Sequence, residues 1–321
     1  MLQRSRDSTA ITQHLIANIE REIEDKIGTV AETLLQQYDA LYIAFIGAGL
    51  ARASAELVYW PLRQLTEKNI RLVSGEEILY HTLPYHEEKA LILLFGEPGT
   101  ENIAAKIATT TRLTGNDLIL VSTPLPETLS PYLPEARIEV SEKPFSLSFI
   151  IAASKIVVIT IRKYSDIKVR KTRIINEYTN ISQVYDDLIK RYDSIINKIT
   201  SLINSDNDNT IVYSSPTLMP ASYLFEWCLY RQGIPIRIYN LSAILSHLSQ
   251  EFFRKPRKVS AIFLLTDIES DIVREAKFKI SFTSNQKIDT TELVIHTDPL
   301  TAPLYASLVL NNVCTKIGGN E

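Results

Sequence analysis

Apolar residues follow two different spacings along the chain, and these spacings divide the first half into helices and strands. In residues 10–38 they recur every three or four positions, which is typical of an amphipathic helix. Short apolar runs then predict strands at 40–46, 70–73, 90–95 and 117–122, with helices at 51–68 and 100–113. Strands that alternate with helices predict a parallel sheet, and continuous apolar runs indicate strands covered on both faces.

The same alternation returns in the last third of the chain. Residues 145–203 are helical by pattern, first apolar and then amphipathic, and the polar tract 204–209 predicts a boundary. Beyond it the pattern predicts strands at 210–214, 236–239, 259–266 and 293–296 and helices at 221–232, 241–253, 271–277 and 304–316. We therefore expect an α/β protein with an N-terminal helical segment (1–38), a first unit (39–144), a helical connection (145–203) and a second unit (204–321).

Composition narrows the function classes. Of the 321 residues, 45% are hydrophobic and 22% are charged, which excludes a disordered chain. The net charge of -3 gives no basic excess for nucleic-acid binding. Two cysteines, Cys228 and Cys314, rule out a cysteine-based zinc site and favour a reducing, cytoplasmic setting. The sequence therefore predicts neither a nucleic-acid partner nor a metal.

No targeting or membrane segment is expected. The first eight residues contain no apolar core of the kind that a signal peptide needs. The most apolar stretch, 145–161, contains Lys155 and is shorter than the roughly 20 residues that a bilayer requires, so we interpret it as a buried helix.

Four short segments and the helical connection give the chain a family resemblance. The segments are FIGAG (45–49), ILLFGEPGT (92–100), IVYSS (211–215) and DPL (298–300). Together they resemble tandem sugar isomerase (SIS) proteins, which have two flavodoxin-like lobes with parallel sheets. The resemblance implies an aldose–ketose sugar-phosphate isomerase, similar to the archaeal phosphoglucose/phosphomannose type or to the glucosamine-6-phosphate enzymes. It also implies a homodimer and a reaction that needs no cofactor.

The resemblance further implies where a sugar phosphate binds. A phosphate needs backbone N–H groups, hydroxyls and the start of a helix. The implied binding residues are Gly47, Gly49, Ser54, Gly99, Thr100, Ser214 and Ser215.

The chain departs from the family at the second of these loops. Gly96, Pro98 and Glu101 stand where the family has hydroxyl residues, and Glu97 and Glu101 repel a dianion. The alternative is that the glycines only shape turns between strands and helices.

Two residues are candidates for catalysis. The family places a glutamate on the first helix of the second lobe and a histidine downstream, which points to Glu226 as the base and His247 as the residue that assists ring opening. Glu226 lies one helical turn, about 6 Å, from the position that the family motif implies. Each residue also has a simpler interpretation: Glu226 as a solvated carboxylate and His247 as a polar residue near a helix end.

The remaining polar features are less specific. His81 and His86 flank Pro84 and lack the spacing of a helical metal-binding pair. His296 ends a predicted strand, and Lys316 fits a helix C-terminal cap. The basic residues of 162–173 indicate a solvated face. Two hypotheses stay open: a sugar-phosphate-binding protein that isomerises its ligand, or an inactive SIS-fold protein that senses a phosphosugar or scaffolds a partner.

Overall fold

A computed structural model of the chain describes residues 2–85, 89–140, 144–205, 210–243, 260–283 and 289–318. The chain divides into two compact units, Met1–Asp186 and Asp187–Glu321, and each has its own sheet. The four segments expected from the sequence are a finer division and stay a prediction.

Unit 1 is built on five described strands. They are β1 (Ala40–Ile46), β2 (Ile70–Ser74), β3 (Ala90–Gly96), β4 (Asp117–Ser122) and β5 (Arg137–Glu139). All neighbours pair in parallel in the order β2-β1-β3-β4-β5, which is the flavodoxin-like order. Every residue of β3 is buried, as expected for a strand with helices on both faces.

The helices of unit 1 cover this sheet. They are α1 (Leu2–Leu34), α2 (Leu50–Leu65), α3 (Gly75–Glu77), α4 (Glu101–Leu113), α5 (Phe145–Tyr164) and α6 (Lys168–Thr179), and α7 (Ile181–Asn204) begins in this unit. Alternate side chains of β1, β3 and β4 form one core cluster with α4. Helix α5 contacts α1 and α2. It is the one described helix with the length and composition of a membrane span, but most of that span is buried inside the protein.

Unit 2 repeats the same architecture with four described strands. They are β6 (Thr210–Ser214), β7 (Ile236–Asn240), β8 (Ser260–Thr266) and β9 (Asp289–Ile295), paired in parallel in the order β7-β6-β8-β9. Its further helices are α8 (Met219–Arg231), α9 (Ser270–Thr283) and α10 (Ala302–Gly318). The predicted fold class is thereby confirmed: an α/β protein with two flavodoxin-like units and parallel sheets.

The structure also corrects details of the predicted elements. Residues 145–203 form three helices, because the chain leaves helical conformation at 165–167 and at Asn180. The sequence pattern missed β5, which is three residues long. The predicted helix 241–253 begins as a 3-10 turn at Leu241–Ala243, and its remainder lies outside the described residues.

A buried charge network joins four helices of unit 1. The Lys155 ammonium on α5 lies 2.6 Å from Glu24 Oε1 and 3.2 Å from Glu20 Oε1, both on α1. It also donates to the Thr179 carbonyl at the end of α6, at 2.8 Å. Glu20 in turn accepts the backbone N–H group of Ile181, where α7 begins. The network satisfies the buried charge of Lys155 and holds the end of α6 and the start of α7.

We expect the variant Lys155→Met to lower the free energy of unfolding by about 3 kcal/mol, because it leaves the nearly buried Glu20 carboxylate without its cation. Urea denaturation measures this loss. Arg274→Met, which breaks the exposed pair with Asp271, is the control and should cost less than about 1 kcal/mol. Equal losses in the two variants would contradict a structural role for the network.

Candidate functional site

Several of the candidate site residues follow strands, at the carboxyl edge of each sheet. Ligands of open parallel α/β sheets bind outside the carboxyl ends of the strands. In unit 1 this edge carries the turn Gly47–Gly49 after β1 and the turn 97–100 after β3. In unit 2 it carries the residues that follow β6, β7, β8 and β9.

The turn between β1 and α2 binds a carboxylate of the chain itself. The backbone N–H groups of Gly49 and Ala51 both donate to Glu97 Oε1, at 2.9 and 3.0 Å. Glu97 follows β3, the neighbour of β1, and its own N–H group donates to the Ile46 carbonyl. Helix α2 therefore begins on an internal anion. The sequence predicts that Glu97 repels a phosphate dianion. In the structure this carboxylate is already hydrogen-bonded at the start of a helix.

Gly47 makes room for this contact. Its φ of +114° lies in the region that favours glycine, and a Cβ atom here would stand 2.4 Å from Glu97 Cδ. Any other residue would have to displace the carboxylate. In the structure Gly47 accommodates the Glu97 carboxylate. Its role in ligand binding stays a prediction.

The pKa of the Glu97 carboxyl group is raised overall. Partial burial raises the pKa of its carboxyl group, while the hydrogen bonds from the backbone at the start of α2 oppose that rise. A helix start favours the charged form of an acid, and an apolar surrounding disfavours it.

Polar groups of the turn between β3 and α4 also have hydrogen-bond partners within the chain. The Gly99 N–H group donates to Glu101 Oε1 at 2.8 Å, and the Thr100 hydroxyl donates to the Glu97 carbonyl at 2.6 Å. Pro98 has no N–H group to offer. The two predicted phosphate-binding residues of this turn, Gly99 and Thr100, therefore already have partners within the chain.

The three predicted serines are buried. The Ser54 hydroxyl donates to the Leu50 carbonyl of its own helix at 2.9 Å. Ser214 ends β6, and its hydroxyl donates to the Ser215 carbonyl. Ser215 Oγ accepts the Leu218 N–H group and so caps the 3-10 turn that leads into α8. Each hydroxyl stabilises local backbone, and a role in ligand binding stays a prediction.

The structure describes only one of the two catalytic candidates, Glu226. Glu226 lies on α8, is half-buried, and has a pKa raised by burial alone, with no charged or hydrogen-bonding partner contributing among the described residues. A raised pKa makes a carboxylate a stronger base. His247 lies outside the described residues, so its role stays a prediction.

Sequence reasoning named His296 after β9 but missed the polar groups after β8 that it meets. Thr266 and Glu269 form a reciprocal cap, and between them Asp267 Oδ1 lies 2.6 Å from Nδ1 of His296. A usable signal was present, because Asp267 directly follows one predicted strand and His296 ends another, so both come at the carboxyl end of a strand. No group of three or more potential metal ligands occurs in the described part of the chain.

Comparison with known proteins supports the fold. No family model and no curated protein matches the sequence. A protein of Salmonella typhimurium LT2 proposed to bind sugar is similar in structure, with a TM-score of 0.71, 12% identity and coverage of 95% of this chain and 99% of that one. A proposed phosphosugar isomerase of Bacillus subtilis gives a TM-score of 0.67, 15% identity and 94% coverage of both chains.

A third similar structure is the C-terminal domain of glucosamine-fructose-6-phosphate aminotransferase from Francisella tularensis, with a TM-score of 0.63 and 10% identity over 96% of this chain and 95% of that one. The chain therefore has the SIS fold, as the sequence predicted. Identities this low show the fold alone, and the archaeal phosphoglucose/phosphomannose subtype stays a prediction.

We expect Gly47→Ala to destabilise the protein more than Gly115→Ala. Both glycines have positive φ, but only at Gly47 does a Cβ meet another side chain. Gly115→Ala should cost about 1–2 kcal/mol for backbone strain. Gly47→Ala should cost roughly 1.5–3 kcal/mol more, because it expels the Glu97 carboxylate from its N–H donors. Thermal and urea unfolding of both variants measure the difference, and equal costs would contradict the contact.

Proposed function

We propose that the chain is a SIS-fold protein that binds a phosphorylated sugar, and that Glu97 competes with the ligand phosphate for the start of α2. The observation that carries this proposal is the Glu97 carboxylate on the N–H groups of Gly49 and Ala51. A helix start that holds a carboxylate is chemically suited to an anion. The fold shared with proteins named for sugars and phosphosugars supports the ligand class.

The carboxylates of Glu97 and Glu101 lower the affinity that we expect for a phosphate. A phosphate dianion at this edge must displace or approach Glu97 and Glu101, and like charges a few ångströms apart repel strongly in a partly buried site. Weak binding that responds to ligand concentration suits a sensor better than an efficient enzyme. A cytoplasmic homodimer belongs to the same proposal, and the two buried free cysteines support the reducing compartment.

Thermal unfolding in the presence of fructose 6-phosphate, glucose 6-phosphate or fructose tests the proposal. A ligand that binds the native state raises the melting temperature. We expect the two phosphosugars to do so and fructose to do so less. Glu97→Ala should bind phosphosugars about tenfold more tightly, a gain of about 1.4 kcal/mol, because the competing charge is gone.

The matched control is Glu135→Ala, which removes an exposed carboxylate of unit 1. It should leave ligand affinity unchanged. If phosphosugars stabilise neither the native chain nor Glu97→Ala, phosphosugar binding is refuted. If they stabilise both equally, binding stands and the competition by Glu97 is refuted.

Isomerase activity is the second candidate, and Glu226 is the observation that favours it. A half-buried carboxylate with a raised pKa can remove a proton from the carbon beside a sugar carbonyl. The predicted partner is His247, which would assist ring opening. The reaction transfers a proton within one molecule, so side chains alone can supply the chemistry.

A coupled assay for interconversion of fructose 6-phosphate and glucose 6-phosphate tests this candidate. Glu226→Gln should lower kcat about 100-fold or more, the usual contribution of a general base. His247→Ala should also lower it. Full turnover in both variants would exclude these residues as the catalytic pair, and a native chain that binds phosphosugar without turnover would leave the sensor as the function.

A further inference from the structure

Asp267 and His296 meet at the carboxyl edge of the unit 2 sheet. Strands β8 and β9 are parallel neighbours, and their last residues, Thr266 and Ile295, are paired in register. The next residue of each strand is therefore delivered to the same edge. The carboxylate of Asp267 lies 2.6 Å from Nδ1 of His296, which is a short hydrogen bond.

The backbone on both sides of this pair is fixed. Asp267 lies in a 3-10 turn whose Thr266 N–H group donates to Glu269 Oε2 at 2.9 Å, while the Thr266 hydroxyl accepts the Ile268 N–H group. The N–H group of His296 donates to the hydroxyl of the buried Tyr192 on α7. Flexible surface ion pairs lack this support and contribute little, whereas functional pairs need it.

The segment after His296 is anchored as well. The Asp298 carbonyl accepts the N–H groups of Thr301 and Ala302, both at 2.9 Å, where α10 begins. Its carboxylate accepts the Leu300 N–H group at 3.0 Å. His296 is thus held between the end of a buried strand and the start of a helix.

The hydrogen bond defines the tautomer of the imidazole. A carboxylate only accepts, so the proton of the shared hydrogen bond belongs to Nδ1. In the neutral imidazole, the other nitrogen, Nε2, then has a lone pair. The His296 side chain is 60% exposed, and no described residue makes a hydrogen bond with Nε2. This nitrogen is therefore accessible to a ligand at the sheet edge.

The geometry points to an acid–base pair in unit 2, with His296 as the catalytic residue and Asp267 as the residue that positions it. This inference rests on the proposed binding of a phosphorylated sugar. His296 Nε2 removes a proton from the carbon beside the carbonyl group of the open-chain sugar. The C–H bond breaks, an N–H bond forms, and the electron pair of the C–H bond becomes the C=C bond of an enediolate whose negative charge is on oxygen.

The reverse step returns a proton from Nε2 to carbon, so atoms and charge balance and Asp267 stays ionised throughout. This pair is the alternative to Glu226 and His247 as the source of the base.

Proton exchange in D2O tests the pair directly. The protein is incubated with fructose 6-phosphate or glucose 6-phosphate, and proton NMR follows the replacement of hydrogen by deuterium at C1 and C2. We expect exchange by the native chain and a loss of about 100-fold or more in His296→Gln. Asp267→Asn should lower the maximal rate about tenfold or more while leaving the half-saturating ligand concentration unchanged.

The control is His81→Gln, an exposed histidine of unit 1, which should exchange at the native rate. Thermal shifts with the same ligands measure binding separately in every variant. Ligand binding without exchange by the native chain overturns this inference and leaves the proposed function standing. Native exchange rates in His296→Gln also overturn it, and the absence of both binding and exchange overturns the two proposals together.

Discussion

The structure at the sheet edges depends on one constraint: the first N–H groups of a helix must find acceptors. In flavodoxin-like folds a helix follows each buried strand, and its start lies at the edge where ligands bind. This chain meets the constraint from within at α2, where Gly49 and Ala51 donate to Glu97. The bond also joins β3 to the start of α2, so the two loops next to the central strand form one structure.

Each unit has an acid of the chain that accepts backbone N–H groups at this edge. In unit 1 the strand beside β1 is followed by Glu97, and in unit 2 the strand beside β6 is followed by Glu269, which accepts from Thr266. The sheet orders place these acids in equivalent loops, although the local partners differ. Under the proposed binding of a phosphosugar, an acid in each such loop lowers the affinity of that edge for a phosphate.

Much of the fold could be predicted from the sequence, because burial on both faces leaves a clear signal. The strands β1, β4 and β6 have the predicted bounds, since each is an apolar run that ends at a polar or glycine turn. The three-residue β5 gave no such signal, because only its central residue is buried. The breaks between α5, α6 and α7 also escaped the pattern, and at the junction of α6 and α7 the helix ends are held by tertiary contacts of Glu20 and Lys155.

The site was harder to predict because it depends on turn geometry. Sequence reasoning treated Glu97 only as a charge that repels phosphate and did not predict that its carboxylate accepts the N–H groups of Gly49 and Ala51. Its position depends on the positive φ of Gly47 and on the missing Cβ there, neither of which a composition or a spacing reveals. The pair of Asp267 and His296 follows instead from register, since two adjacent strands that end together bring their next residues into contact. The ends of adjacent strands therefore predict which side chains come into contact. The conformation of the turns determines which hydrogen-bond partners those side chains have.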